Sequence, residues 1–126
     1  MTDGEPSPWA QIVGPCYTVA SMARTLGWTE DEVTEAARTL RLLMLVTEDD
    51  VHLFPAFQLH DDRVVEGLTD VLRVLQTGTQ SRWTWAQWLN TPYPDGEPTA
   101  IEKMLAGRID EILLEARHDA WSWSSW

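Results

Sequence analysis

The chain has 126 residues, enough for one domain or two very small ones, and its 44% apolar residues can form a core, so we do not expect a disordered protein. Twenty acidic residues against nine Lys and Arg give a net charge of −11, which disfavours phosphate backbones and anionic membranes as partners. A single cysteine, Cys16, excludes an internal disulfide, and neither a signal-peptide pattern nor a membrane-length apolar run is present, so we predict a cytoplasmic protein.

The N-terminal half has the pattern of two short helices joined by a tight turn. Residues 1–15 are rich in glycine and proline and predict a loose arm that Trp9 can anchor. Gly27 ends a first helix, whose apolar residues recur at i, i+3, i+4 and i+7: Val19, Met22, Ala23 and Leu26. Thr29 and Glu32 have the spacing of a capping box, which predicts the start of a second helix.

A short β-hairpin is predicted after the second helix. The segments LLMLV and VHLF are apolar and short, and the acidic sequence TEDD between them is typical of a turn. We therefore interpret residues 16–58 as a helix-turn-helix with this hairpin as its wing. Such a half commonly supports a two-fold dimer, so a homodimer through residues 16–58 is expected.

The C-terminal half predicts a small helical domain over residues 59–120. A helix is expected from Asp61, because the apolar residues that follow share one face: Val64, Val65, Leu68, Val71, Leu72 and Leu75. Further helices are predicted over 82–90, from Thr99 to Gly107, and along the apolar stripe from Ile109 to Ala120. Residues 121–126, WSWSSW, lack helical amphipathicity and are interpreted as a tryptophan-rich tail. The predicted fold class is mainly α, with one short β-hairpin.

Catalytic and metal-binding motifs are missing from the sequence. The histidines His52, His60 and His118 are scattered and lack metal-ligand spacing, and no nucleophile elbow or phosphate-binding glycine loop is found. We therefore predict a protein that is not an enzyme, with no catalytic residue, no metal and no cofactor.

The helix-turn-helix pattern raises DNA binding as an alternative. Arg24, Arg38 and Arg41 could form a narrow basic strip beside phosphates. The exposed positions of the second helix are nevertheless mostly carboxylates, which repel a polyanion: Glu30, Asp31, Glu32 and Glu35. A DNA-binding regulator therefore remains an alternative interpretation, which the charge of the second helix disfavours.

Several motifs of the C-terminal half occur together in one known family. They are Trp85-x-x-Trp88-Leu89, Pro92 with Pro94 in a turn, and Ala106-Gly107 followed by Asp110. Together with the PAFQ segment and the helices before it, they resemble the Xre/MbcA/ParS antitoxin family over roughly residues 14–118. The resemblance implies an antitoxin whose C-terminal domain binds a RES-domain toxin that degrades NAD, and whose last residues obstruct the toxin's NAD site. The acidic second helix and the tryptophan-rich tail depart from the family pattern.

The candidate partner-binding residues lie near the end of the chain. Indoles bury large apolar areas and are enriched at interface hot spots, which favours the tail tryptophans as anchors. The full candidate set is Tyr93, Arg117, His118, Trp121, Trp123 and Trp126. Two alternatives remain: the tail packs on its own last helix, or the protein is a dimeric adaptor for another protein partner.

Overall fold

The computed structural model describes residues 13–124, and within them the fold is mainly α-helical with short antiparallel strands. The N-terminal half contains, in chain order, β1 (Cys16–Tyr17), α1 (Val19–Leu26), α2 (Glu30–Arg38), β2 (Leu45–Val46) and β3 (His52–Pro55). A 3₁₀ turn (Ala56–Gln58) leads to β4 (Leu59–His60) and β5 (Arg63–Val64). The remaining elements are α3 (Leu68–Gln76), α4 (Arg82–Asn90), α5 (Ala100–Leu105) and α6 (Ile109–Ser124).

The first helix ends, and the second begins, where local side-chain signals predict. The hydroxyl of Thr29 accepts from the Glu32 amide at 3.0 Å, and the Glu32 carboxylate accepts from the Thr29 amide at 2.8 Å. This reciprocal capping box satisfies two backbone donors at the start of α2. Gly27 follows α1 in the left-handed conformation, at φ 74°, which a residue with a Cβ adopts only at a cost.

The predicted hairpin is present, with shorter strands than the sequence pattern indicates. Strand β3 pairs antiparallel with both β1 and β2, so the small sheet has the order β1-β3-β2. Leu42 and Leu43 lie outside β2 although both are fully buried. Their apolar character therefore reflects burial in the core and not membership of a strand.

A second hairpin replaces the predicted start of α3 at Asp61, so that prediction is wrong. Strands β4 and β5 pair antiparallel, and Asp61 and Asp62 form the two-residue turn between them with φ of 54° and 62°. Two successive residues with positive φ are typical of the turns that join hairpin strands, and aspartate tolerates that conformation. Helix α3 begins only at Leu68, after Gly67.

Both halves of the chain contribute to one large apolar core. Leu40, Leu43 and Leu45 from the N-terminal half pack in the same cluster as the buried faces of α3, α4, α5 and α6. A smaller cluster lies between α1, α2 and β3. The indole Nε1 of Trp83 also donates to the Val46 carbonyl at 3.2 Å, which joins α4 to β2.

The interpretation of residues 121–126 as a separate tail is also wrong over its described part. Helix α6 continues to Ser124, and Trp123 packs against the large core cluster. Near its C-terminal end α6 also packs closely against Gly78, just after α3, where an added Cβ would fall 2.6 Å from the Ala120 Cα. The predictions for Trp9 and Trp126 lie outside the described residues.

No helix within residues 13–124 combines the length and the apolar character needed to cross a membrane.

Candidate functional site

Helix α6 presents large apolar side chains to solvent on one side. Leu114 is 66% exposed and Trp121 is 69% exposed, and they are seven positions apart, about two helical turns, so both lie on the same face. Arg117 and His118 are exposed between them. We call these four residues the α6 face.

Next to this face, α4, the turn after it and the end of α6 enclose a groove of about 450 Å³. We call it the aromatic groove, and it is lined by Thr84, Gln87, Trp88, Thr91, Pro92, Tyr93, Pro94, Asp119 and Trp123. Its volume falls within the range of about 300–1,000 Å³ that is usual for ligand clefts. Rings and prolines dominate this lining, and Asp119 is its acidic member.

The position of Trp88 is set by helix α4 and by one long-range hydrogen bond. The Ser81 hydroxyl accepts from the Thr84 amide at the start of α4, and Trp85 and Leu89 are buried on its inner side. Trp88 is therefore left at the edge of the core, half-buried, where its indole Nε1 donates to Asp119 Oδ2 at 2.7 Å. This bond connects α4 directly to α6.

Tyr93 is held between α5 and α6. Its hydroxyl donates to Glu115 Oε1 at 3.1 Å, and the Lys103 ammonium lies 4.5 Å from the centre of its ring. Burial, followed by the neighbouring Glu115 carboxylate, raises the pKa of Tyr93 to about 12. The side chain thus stays protonated and able to donate at neutral pH.

Lys103 is a buried cation that no sequence motif indicates. Its ammonium lies 3.1 Å from Glu97, 3.7 Å from Glu111 and 4.0 Å from Glu115, while its own side chain is only 5% exposed. The pKa of Lys103 is raised, first by its hydrogen bond to Glu97. Because these carboxylates come from the 91–99 turn and from α6, Lys103 fixes the turn that carries Tyr93 against the last helix.

A second cavity, of about 520 Å³, connects the aromatic groove with the α6 face. It is lined by Tyr93, Leu114, Glu115, His118 and Asp119, so Tyr93 and Asp119 belong to both cavities. His118 Nδ1 lies 3.3 Å from Asp119 Oδ1. The α6 face and the groove therefore form one continuous surface with apolar, aromatic and acidic parts.

Most of the predicted partner-binding residues lie on this surface. Tyr93 and Trp123 line the groove, and Arg117, His118 and Trp121 lie on the α6 face, while Trp126 is outside the described residues. Sequence reasoning missed Leu114 and Asp119. For Leu114 a signal was available, because it is a large apolar residue off the buried stripe of the last helix.

The three arginines considered for DNA binding have different surroundings. The Arg38 guanidinium binds Glu35 within α2, with 3.0 Å between its Nε and Oε1, which raises the pKa of Arg38 and lowers that of Glu35. Arg41 Nε donates to the Thr39 hydroxyl at 3.2 Å, and Arg24 is exposed on α1. Arg38 is thus already neutralised within its own helix.

Two further observations concern possible metal ligands and the cysteine. Across residues 13–124, no three His, Cys, Asp or Glu side chains are grouped so that they could hold a metal ion. The Cys16 thiol is half-buried, and burial raises its pKa, which disfavours the reactive thiolate.

Neither a protein-family model nor a curated protein matches the chain. Among solved structures it is similar to the one described as the NMR structure of Rv2175c, with a TM-score of 0.73. The alignment covers 95% of this chain and 86% of that chain, at 20% sequence identity. At this identity the likeness concerns the fold alone.

Proposed function

We propose that the chain is an antitoxin that binds and neutralises a RES-domain toxin through its C-terminal half. The observation that carries this proposal is the α6 face, where Leu114 and Trp121 are both about two-thirds exposed. Contiguous exposed apolar surface with a polar rim is typical of protein-interaction sites, and the α6 face continues into the aromatic groove. The RES-domain identity of the partner comes from the family resemblance of the C-terminal motifs.

The composition of the surface suits a protein partner. Burial of one such large side chain contributes about 2 kcal/mol, and tryptophan and arginine are enriched among hot-spot residues. Arg117 and His118 stand between the two apolar anchors, so the surface offers hydrogen-bond donors as well as apolar area. The antitoxin obstructs the toxin in this account and performs no chemical step itself.

Growth rescue tests the proposal. A RES-domain toxin is expressed alone and together with the wild-type chain, with the double variant Leu114→Ser/Trp121→Ser, or with the control Val51→Ser. Val51 is 46% exposed in the hairpin turn, far along the chain from α6. We expect rescue by the wild type and by the control, and loss of rescue by the double variant. Rescue by all three chains, or by none, would contradict the proposal.

Point substitutions are preferable to truncation in this experiment. Residues 121–124 belong to α6, and Trp123 packs on the core, so deletion of the last six residues would disturb the fold as well as the surface. Circular dichroism of the purified variants separates the two effects, because serine substitutions at exposed positions should leave the helical spectrum unchanged.

A second candidate, DNA binding, is favoured by the arrangement of the N-terminal half. Two helices joined through Gly27, followed by an antiparallel hairpin, have the element order of a winged helix-turn-helix. The charge of α2 opposes this candidate, because Glu30, Asp31 and Glu32 occupy its first turn. Glu32 has a structural role there as part of the capping box.

Selection of bound sequences from random duplexes, followed by gel shift at moderate salt, tests DNA binding. A DNA-binding regulator should select a consensus sequence, and Arg24→Ala and Arg41→Ala should each weaken binding and lower the salt slope by about 1. No enriched sequence and no shift would reject this candidate and leave the antitoxin proposal unaffected.

A further inference from the structure

The aromatic groove combines π faces with one carboxylate. Trp88, Tyr93 and Trp123 contribute rings to its lining, and Asp119 of α6 contributes the carboxylate. Aromatic faces attract cations through their quadrupole, and a nearby carboxylate adds a Coulomb attraction and a hydrogen-bond acceptor. The net charge of −11 strengthens the attraction for a cation at this site.

Asp119 retains capacity to accept a ligand's hydrogen bonds. Its Oδ2 accepts one hydrogen bond from the Trp88 indole, and its Oδ1 lies 3.3 Å from His118 Nδ1. An ionised carboxylate has about four acceptor sites, so at least one site on each oxygen is left for a ligand. The Asp119 side chain is 43% exposed, which leaves it accessible from the groove.

The chain itself has cations on aromatic rings at two other places, and one of them, Lys103 on Tyr93, also has a carboxylate partner. The Lys103 ammonium lies 4.5 Å from the Tyr93 ring centre and is bound by Glu97, and the Arg82 guanidinium lies 5.7 Å from the Trp85 ring centre. A cation placed on an aromatic ring beside a carboxylate is thus compatible with the local structure around the groove.

We propose that the aromatic groove binds an arginine side chain that the protein partner presents, with its guanidinium on Asp119 and against the rings of Trp88 and Trp123. Arginine is preferred to lysine because a planar guanidinium stacks on aromatic rings and pairs with a carboxylate through two parallel hydrogen bonds. This inference rests on the proposed function for the origin of the arginine, but its chemistry can be tested without the partner.

The test is an NMR titration of the full chain with N-acetyl-arginine methylamide, followed on the indole N–H resonances. We expect saturable shifts of Trp88 and Trp123, with a dissociation constant on the order of 1 mM, which corresponds to about 4 kcal/mol. The citrulline analogue has the same shape without the charge and should produce no saturable shift. The lysine analogue should bind more weakly than the arginine compound.

Asp119→Asn is the decisive variant, because its amide oxygen can still accept from the Trp88 indole while the negative charge is removed. We expect it to weaken arginine binding about fivefold or more, and we expect the control Asp110→Asn, at the other end of α6, to bind like the wild type. Equal binding of the citrulline or lysine analogue, unchanged binding by Asp119→Asn, or no shift would overturn the inference.

Failure of this inference and failure of the proposed function give different results. If the wild-type chain rescues growth and the double variant of the α6 face does not, while the arginine compound fails to bind, only the arginine inference is overturned. If the compound binds as expected and no chain rescues growth, the antitoxin proposal is overturned and the groove remains an arginine site.

Discussion

At the scale of single residues, Gln58 is the clearest case of a polar side chain that the fold requires. It is fully buried, and its amide oxygen accepts from the Leu43 amide at 2.8 Å. Its amide nitrogen donates to the Leu43 and Pro55 carbonyls, each at 3.0 Å. The side chain thereby satisfies both backbone groups of Leu43, in the irregular segment between α2 and β2, and the carbonyl of Pro55 at the end of β3.

Gln58→Leu should therefore lower the free energy of unfolding by about 3 kcal/mol, because buried backbone donors and acceptors would lose their partners. Urea denaturation measures the effect. The control is Gln80→Leu, at an exposed position, which should change stability by less than about 0.5 kcal/mol. Equal stability of the two variants would contradict the role of Gln58.

Tyr93 gives the protein a pH dependence at alkaline pH. Its pKa rises from 10.0 to about 12 on folding, so the folded state holds the phenolic proton more tightly than the unfolded state. The stability from this group is complete below pH 10 and is lost as the pH rises towards about 12. We expect Tyr93→Phe to show a smaller loss of unfolding free energy in this window than the wild type, and an identical loss would contradict the prediction.

At the scale of the elements, the close packing of α3 and α6 depends on a glycine. A Cβ at Gly78 would fall 2.6 Å from the Ala120 Cα, which is backbone and cannot move aside easily. Gly78→Ala should therefore destabilise the protein by about 2 kcal/mol, although the same change at an unhindered site stabilises by about 0.4–1 kcal/mol. Thermal unfolding measures the change in stability, with Gln76→Ala at an exposed neighbouring position as the control. A higher melting temperature for Gly78→Ala would contradict the close packing at this glycine.

The elements also show which signals a single sequence carries. The capping box of Thr29 and Glu32 acts over three residues, so the start of α2 could be predicted from the sequence. The β4–β5 hairpin could not, because two consecutive aspartates such as Asp61 and Asp62 are found both at helix starts and in turns with positive φ. The groove could not be predicted, because its defining bond joins Trp88 to a residue 31 positions away. The periodicity of apolar residues predicts which face of a helix is buried, but it does not predict which distant residues form a pair.

At the scale of the whole molecule, the negative charge is partly organised into structural pairs. Glu97, Glu111 and Glu115 surround Lys103, and a further pair joins Arg108 Nη2 to Glu111 at 2.7 Å. Lys103 and Arg108 are thus paired with carboxylates of the same chain. The remaining acidic residues, which outnumber the basic ones, leave the surface strongly acidic. We expect a partner with a basic contact surface, and association rates with it that fall as the salt concentration rises.

The affinity of the purified chain for a RES-domain toxin tests the central claim most directly. Calorimetric titration should give a stable complex with the wild type and with Val51→Ser. Trp121→Ser should weaken binding about tenfold or more, which corresponds to about 1.4 kcal/mol. Unchanged affinity of Trp121→Ser, or no complex with the wild type, would contradict the account of α6 as the toxin-binding surface.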